Sequence, residues 1–139
     1  TRQPPLAGPK YRELTHHRRK LREAIMLSTN LEHVENDDQF QQLLNDNDNV
    51  MITCGRMGPM CLPVYDVMDN VKDDYQDVTF RDMDFDSPVA TNIRKLEEVR
   101  GFMSLPFVVY FKNGQVVEAK SSTQNRDQVV DSLERNFRN

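Results

Sequence analysis

The sequence predicts an α/β domain, a mixed central sheet sandwiched by helices, with a helical extension at its N-terminus. Three observations carry this. Short apolar runs of strand length alternate with segments whose apolar residues recur at helical spacing. The last two strands meet at Lys112-Asn113-Gly114, a hairpin turn. The length of 139 residues suits one domain plus an extension and is too short for two ordinary domains. Leu, Ile, Val and Phe make up 35 residues, more than a disordered chain carries. No stretch approaches the ~20 apolar residues of a membrane-spanning helix. Two cysteines are too few for a disulfide scaffold.

Taken in order, a short strand is expected at Leu31–Val34, then a helix through Phe40, Leu43 and Leu44 with Asp37-Asp38 as its cap. Asn-Asp-Asn-Asp at 45–48 ends it. Val50–Thr53 reads as a short buried strand, and Gly58-Pro59 opens a helix bearing Val64, Val67, Met68 and Val71. Val78–Phe85 alternates as a strand should. Ser87-Pro88 starts a helix through Ile93 and Leu96. Phe107–Phe111 is a compact apolar strand, Gln115–Ala119 pairs back on it, and Asn125 caps a last helix through Val129, Val130, Leu133 and Phe137. The alternation in the first half predicts parallel pairing, and the hairpin adds antiparallel strands.

Charge divides the chain. Residues 1–30 carry seven Lys/Arg against two Glu, a balance of +5, whereas 31–139 carry 11 basic and 20 acidic residues, a balance of −9. A basic arm on an acidic body predicts two jobs in one chain. Three prolines within residues 1–9 predict an extended lead-in. After Pro9, residues Tyr11, Leu14, Leu21 and Ile25 fall on one helical face, interrupted by Arg18, with Arg12, Arg19, Lys20 and Arg22 on the other. Such a helix either folds back on its own domain or docks on a partner protein, RNA or an anionic surface.

His16-His17 and His33 lack Cys, Asp or Glu at ligand spacing, so no metal is expected there. Met51, Met57, Met60, Met68 and Met83 read as core and cleft fillers. No Gly-rich phosphate loop and no Ser-His-Asp arrangement is visible, and no cofactor is expected.

The element order, together with Val50–Pro59, Val78–Pro88 and Val99–Val117, resembles thioredoxin. The family's third strand and loop, of the form VDVDENP, is echoed by Arg81-Asp82-Met83-Asp84-Phe85-Asp86-Ser87-Pro88. Its cis-proline segment, of the form YGVRSIPTLLLFKNGEVV, is echoed from Val99 to Val117, with Leu105-Pro106 at the proline. The resemblance covers 31–139 and leaves the arm outside. It implies a thioredoxin-like three-layer sandwich, a cis peptide before Pro106, and Asp82, Asp84 and Asp86 at a strand end facing solvent.

It also implies a place for the chemistry. A thioredoxin-type enzyme needs a thiolate at a helix N-terminus and a second thiol one turn on to resolve the mixed disulfide. Aligning Gly58-Pro59 with the Gly-Pro of the family's WCGPCK puts Met57 and Met60 at the two cysteine positions. Arg56 then replaces the Trp, and Met51 the buried Asp that accepts a proton in the enzymes. A thioether cannot be deprotonated. The cysteines present, Cys54 and Cys61, frame this segment as Cys-x6-Cys. Read functionally they are a displaced redox pair, and Cys61 near a helix start could be a solitary reactive thiol. Read structurally they are two small apolar residues. With Cys54 at the strand end and Cys61 one turn into the helix, their Cα atoms should lie beyond the ~7 Å reach of a disulfide.

The sequence thus predicts a thioredoxin-like domain without oxidoreductase chemistry, kept as a binding scaffold. Its groove beside Pro106, walled by Met57, Met60 and Leu105, suits an extended peptide. The arm, through Tyr11, Leu14, Arg18, Arg19, Lys20, Leu21 and Arg22, anchors it among the protein subunits of a larger assembly. A start at Thr1 rather than Met suggests a processed product and, with the basic arm, a mitochondrial location. Two alternatives stand beside this: an atypical thiol-disulfide oxidoreductase using Cys54 or Cys61, and an RNA-contacting subunit of a ribonucleoprotein.

Overall fold

The computed structural model describes residues 27–138. The arm residues named above, Tyr11 to Ile25 with His16-His17, lie outside the described residues. Five strands form one sheet: β1 (Glu32–His33), β2 (Asn49–Gly55), β3 (Thr79–Asp84), β4 (Phe107–Lys112) and β5 (Gln115–Ser121). The helices are α1 (Asp37–Asp46), α2 (Leu62–Val71), α3 (Thr91–Arg94) and α4 (Arg126–Phe137). The sheet order is β1-β3-β2-β4-β5, parallel across the first three strands and antiparallel across the last three.

Strand periodicity sorts the side chains into two layers. Val50, Ile52 and Cys54 of β2 join Phe107, Val109 and Phe111 of β4 under α1 and α3, where Phe40, Leu43, Val89 and Ile93 cover them. Met51 joins Val108 and Tyr110 on the opposite face, beneath Val64, Tyr65, Met68 and Val71 of α2 and Val129, Leu133 and Phe137 of α4. Helices on both faces with the sheet between give three layers, as expected.

Local chemistry sets the element ends. Asn36, one residue before the expected Asp37-Asp38, caps α1 by accepting from the Gln39 amide at 2.8 Å. The two Asp instead occupy the first turn, where carboxylates complement the helix dipole. The hairpin turn has positive φ at both Asn113 (53°) and Gly114 (80°), the geometry of a type I′ turn and the reason for Asn-Gly there. At α4, Asn125 and Gln128 form a reciprocal capping box.

Two helices differ from expectation. Gly58-Pro59 does not begin α2. The amides of Cys61 and Leu62 both bond to the Gly58 carbonyl at 3.0 Å, so 58–61 is a tight turn and Pro63 takes the first-turn position that tolerates a missing amide proton. The helix after Ser87-Pro88 is shorter: a 3₁₀ turn at Pro88–Ala90 leads into α3, which ends at Arg94, leaving Leu96 beyond it in extended backbone.

Leu27–Asn30, counted with the arm on sequence, lies against the body. Leu27 is buried in the α2/α4 layer, and Asn30 bonds to Asp69 of α2.

Candidate functional site

The site is the end of the sheet where β2 runs into α2 and the loop before β4 comes alongside. β2 stays in register with β4 through the Cys54–Phe107 pair, so the last residue of β2, Gly55, stands beside Pro106. The Leu105–Pro106 peptide is cis. Gly55 must be glycine here. A Cβ on it would lie 2.8 Å from Cys61 Sγ, 2.8 Å from Tyr65 Oη and 3.1 Å from Pro106 Cβ, contacts that real side chains avoid.

Around that convergence the backbone is well satisfied. The Tyr65 hydroxyl donates to the Arg56 carbonyl at 3.1 Å, and the Arg56 amide donates to Cys61 Sγ at 3.4 Å. The Phe85 amide donates to the Gly55 carbonyl at 2.8 Å. Arg56 points outward into a two-pronged pair with Asp86, both bonds 2.8 Å. That pair holds the Asp86 carboxyl below the usual range, but both partners are exposed, so it fixes geometry more than stability. Arg56 and Arg94 also lie over the Phe85 ring, 5.3 and 5.4 Å from its centroid.

The sulfurs divide sharply. Met57 (42% exposed) and Met60 (43%) stand out from the loop with Pro59, and Met103, 95% exposed, stands on the loop leading to Pro106. Leu62 is exposed beside them, and Leu105 is half-buried. Gly58, between the two methionines, is half-buried. Both cysteines are buried and unpaired. They sit on opposite faces of the sheet: Cys54 belongs to the α1/α3 layer and Cys61 to the α2/α4 layer. The sheet itself therefore separates them, a stronger obstacle to pairing than the spacing suggests. Burial, opposed by the charge of Arg94, pushes the Cys54 thiol up to about 12, away from the thiolate that disulfide exchange requires. Cys61 stands at the residue just before α2, with no side-chain capping bond, rather than one turn inside it.

One charged group was misplaced by the sequence reading. Asp82 does not face solvent; its side chain is fully buried. It accepts hydrogen bonds from the Thr29 hydroxyl and from His33 Nδ1, which ties half-buried His33 to the buried carboxylate. Burial pushes the Asp82 carboxyl up, against the pull of those two bonds. The signal was present in the sequence, because Asp82 shares the parity of buried Phe80, two residues before it. Asp84 and Asp86 are half-buried and exposed, nearer to expectation. On the same face, the Thr53 hydroxyl donates to Met68 Sδ at 2.9 Å, and the Ser28 amide donates to Met57 Sδ at 3.4 Å. Tyr65, Gly55 and the Thr29–His33–Asp82 cluster all escaped the sequence reading. Among the described residues no group of three or more His, Cys, Asp or Glu could hold a metal, and no helix is long and apolar enough to cross a membrane.

No family model matches the sequence, and no curated protein matches it. Solved structures do. Thioredoxin of Plasmodium falciparum superposes with a TM-score of 0.64 at 18% identity, covering 76% of this chain and 99% of that one. Mitochondrial thioredoxin 3 of Saccharomyces cerevisiae, in its oxidised form, gives 0.61 at 21% identity, over 76% and 94%. A point-mutant thioredoxin of Halobacterium salinarum gives 0.62 at 20%, over 79% and 95%. The chain therefore has a thioredoxin-like fold, an α/β sandwich with a mixed five-stranded sheet. At these identities the likeness establishes the fold and not the activity.

Proposed function

We propose that this chain is a redox-inactive thioredoxin-like protein that serves as a protein-interaction subunit of a larger, mitochondrial assembly. The observation that carries the reading is the division of sulfur at the sheet end. The groups presented to a partner are thioethers, which cannot form a mixed disulfide, while both thiols are buried on opposite faces of the sheet. Taking Met57 and Met60 as the residues at the two cysteine positions, with Arg56 for Trp and Met51 for Asp, accounts for four departures at one place. In this reading the surface beside Pro106 keeps the exposed apolar groups Met57, Met60, Leu62 and Met103, with half-buried Leu105, as the wall of a peptide groove. An apolar rim of flexible methionines suits contact with an extended peptide. The basic arm, Tyr11 to Arg22, supplies the anchor. The mitochondrial location draws support from the arm's charge and from the yeast mitochondrial thioredoxin among the similar structures.

Two measurements test this together. Purified protein with a dithiol reductant should reduce a disulfide substrate no faster than the dithiol alone, and Cys61→Ser should leave that rate unchanged. Turnover that disappears in Cys61→Ser would make the chain an oxidoreductase. Capture of the full chain under mild salt should bring down protein subunits at fixed stoichiometry, and Leu14→Asp with Leu21→Asp should release them. Recovery of the chain alone would remove the assembly from the proposal, and salt-sensitive recovery of RNA would replace the protein partner.

A further inference from the structure

The described methionines form two populations. Met51, Met68 and Met83 are wholly buried in the two core layers. Met57, Met60 and Met103 are exposed, and all three stand at the same end of the sheet. Met57 follows Gly55 by two residues, Met103 precedes Pro106 by three, and a Cβ on Gly55 would be 3.1 Å from Pro106 Cβ. A thioether needs no deprotonation to react with a peroxide, whereas a thiol reacts as thiolate. Both thiols are buried, and burial pushes that of Cys54 up to about 12, away from the thiolate. Oxidisable sulfur has thus moved, at this end of the fold, from the thiols to the exposed thioethers.

We infer that Met57, Met60 and Met103 form a peroxide-sensitive modification site whose oxidation turns the rim beside Pro106 from apolar to polar. In each, a sulfur lone pair attacks one oxygen of hydrogen peroxide, an S–O bond forms as the O–O bond breaks, and a proton shift releases water. Sulfur loses two electrons and the peroxide gains them. The product is a sulfoxide, polar and chiral, which methionine sulfoxide reductases convert back with electrons from a dithiol. Met57 has a further consequence. Its sulfur accepts the Ser28 amide at 3.4 Å, so oxidation there also changes the acceptor that meets Leu27–Asn30 where that segment crosses the body. The effect on partner binding rests on the function proposed above; the modification itself does not.

The test uses the full chain and hydrogen peroxide, with peptide mapping by mass spectrometry and fluorescence of the apolar dye anilinonaphthalene sulfonate. Met57, Met60 and Met103 should oxidise at least about tenfold faster than Met51, Met68 and Met83, with both thiols still free. Dye fluorescence should fall as the sulfoxides appear and return after treatment with sulfoxide reductases. The triple variant Met57→Leu, Met60→Leu, Met103→Leu should make dye binding indifferent to peroxide. Oxidation of Cys61 before the rim, or of the six methionines named above together, overturns the site. Rim oxidation without a fall in fluorescence, or with a rise, overturns the switch. Disulfide turnover is measured separately, so the loss of either idea is seen without the other.

Discussion

The two layers of this molecule divide the work. On the α1/α3 side the buried strand residues are Val50, Ile52, Cys54, Met83, Phe107, Val109 and Phe111, and none carries a side-chain nitrogen or oxygen. Phe40 packs edge-on against Phe111, and Phe85 and Phe102 do so against Phe107. On the α2/α4 side Thr53, Tyr65, Asp82, Tyr110 and Ser132 interrupt the apolar packing, each buried. The candidate site lies at the end of that second layer. A dry layer supplies stability by area alone, whereas a buried polar group costs desolvation unless it is bonded, as Thr53, Tyr65 and Asp82 are. The difference teaches where this chain tolerates change: the bonded buried polar groups Thr53, Tyr65 and Asp82 all belong to the layer that ends at the site.

The largest effect should therefore come from the dry layer. Phe111→Ala removes a ring that is almost fully buried against Phe40 and should cost about 3–5 kcal/mol, read from the denaturant midpoint. A loss under about 1 kcal/mol would mean that this layer collapses easily and is not the stabilising one.

A smaller effect is expected at the join of the layers. Gly55→Ala places a methyl against Cys61, Tyr65 and Pro106 and should cost about 1–3 kcal/mol. Pro106, being rigid, leaves Cys61 and Tyr65 to move. A neutral Gly55→Ala would show that the sheet end is loosely packed.

The smallest effect separates the layers by pH. Burial raises the folded-state pKa of Asp82, so the folded state holds this proton to higher pH than the unfolded chain does. The associated stability is fully present below the unfolded value, about 3.9 for Asp, and is lost as pH rises through the folded one. Relative to Asp82→Asn, the wild type should lose stability on going from acid pH upward through that window, as read by thermal melts. The destabilisation by Phe111→Ala, which keeps Asp82, should be the same at every pH in that window. A wild-type gain over that range would mean that Thr29 and His33 outweigh burial and depress the carboxyl.

What was legible in the sequence was what near neighbours encode. The apolar runs at 50–53 and 107–111, alternation at 78–85, Asn113-Gly114, Asn125 ahead of the last helix, and helical spacing at Val64, Val67, Met68 and Val71 each report a local backbone preference. The absence of paired cysteines around Gly58-Pro59 could be read there too, since residue identity needs no coordinates. The start of α2 was misjudged because Pro59 and Pro63 both satisfy the rule for a first-turn proline, and only the turn onto the Gly58 carbonyl chooses between them.

The tertiary structure alone decided the rest. Thr29 and His33 meet Asp82 across 53 and 49 residues, a pairing made by the parallel register of β1 on β3. Cys54 and Cys61 are parted by the sheet because an even residue of β2 faces one layer and the helix start overlies the other. Gly55 is constrained by Pro106, which the crossover brings from far along the chain. Local periodicity follows from the few backbone angles each residue prefers, whereas long-range contacts depend on register, crossover and packing. Those are properties of the whole fold, and no window of the sequence contains them.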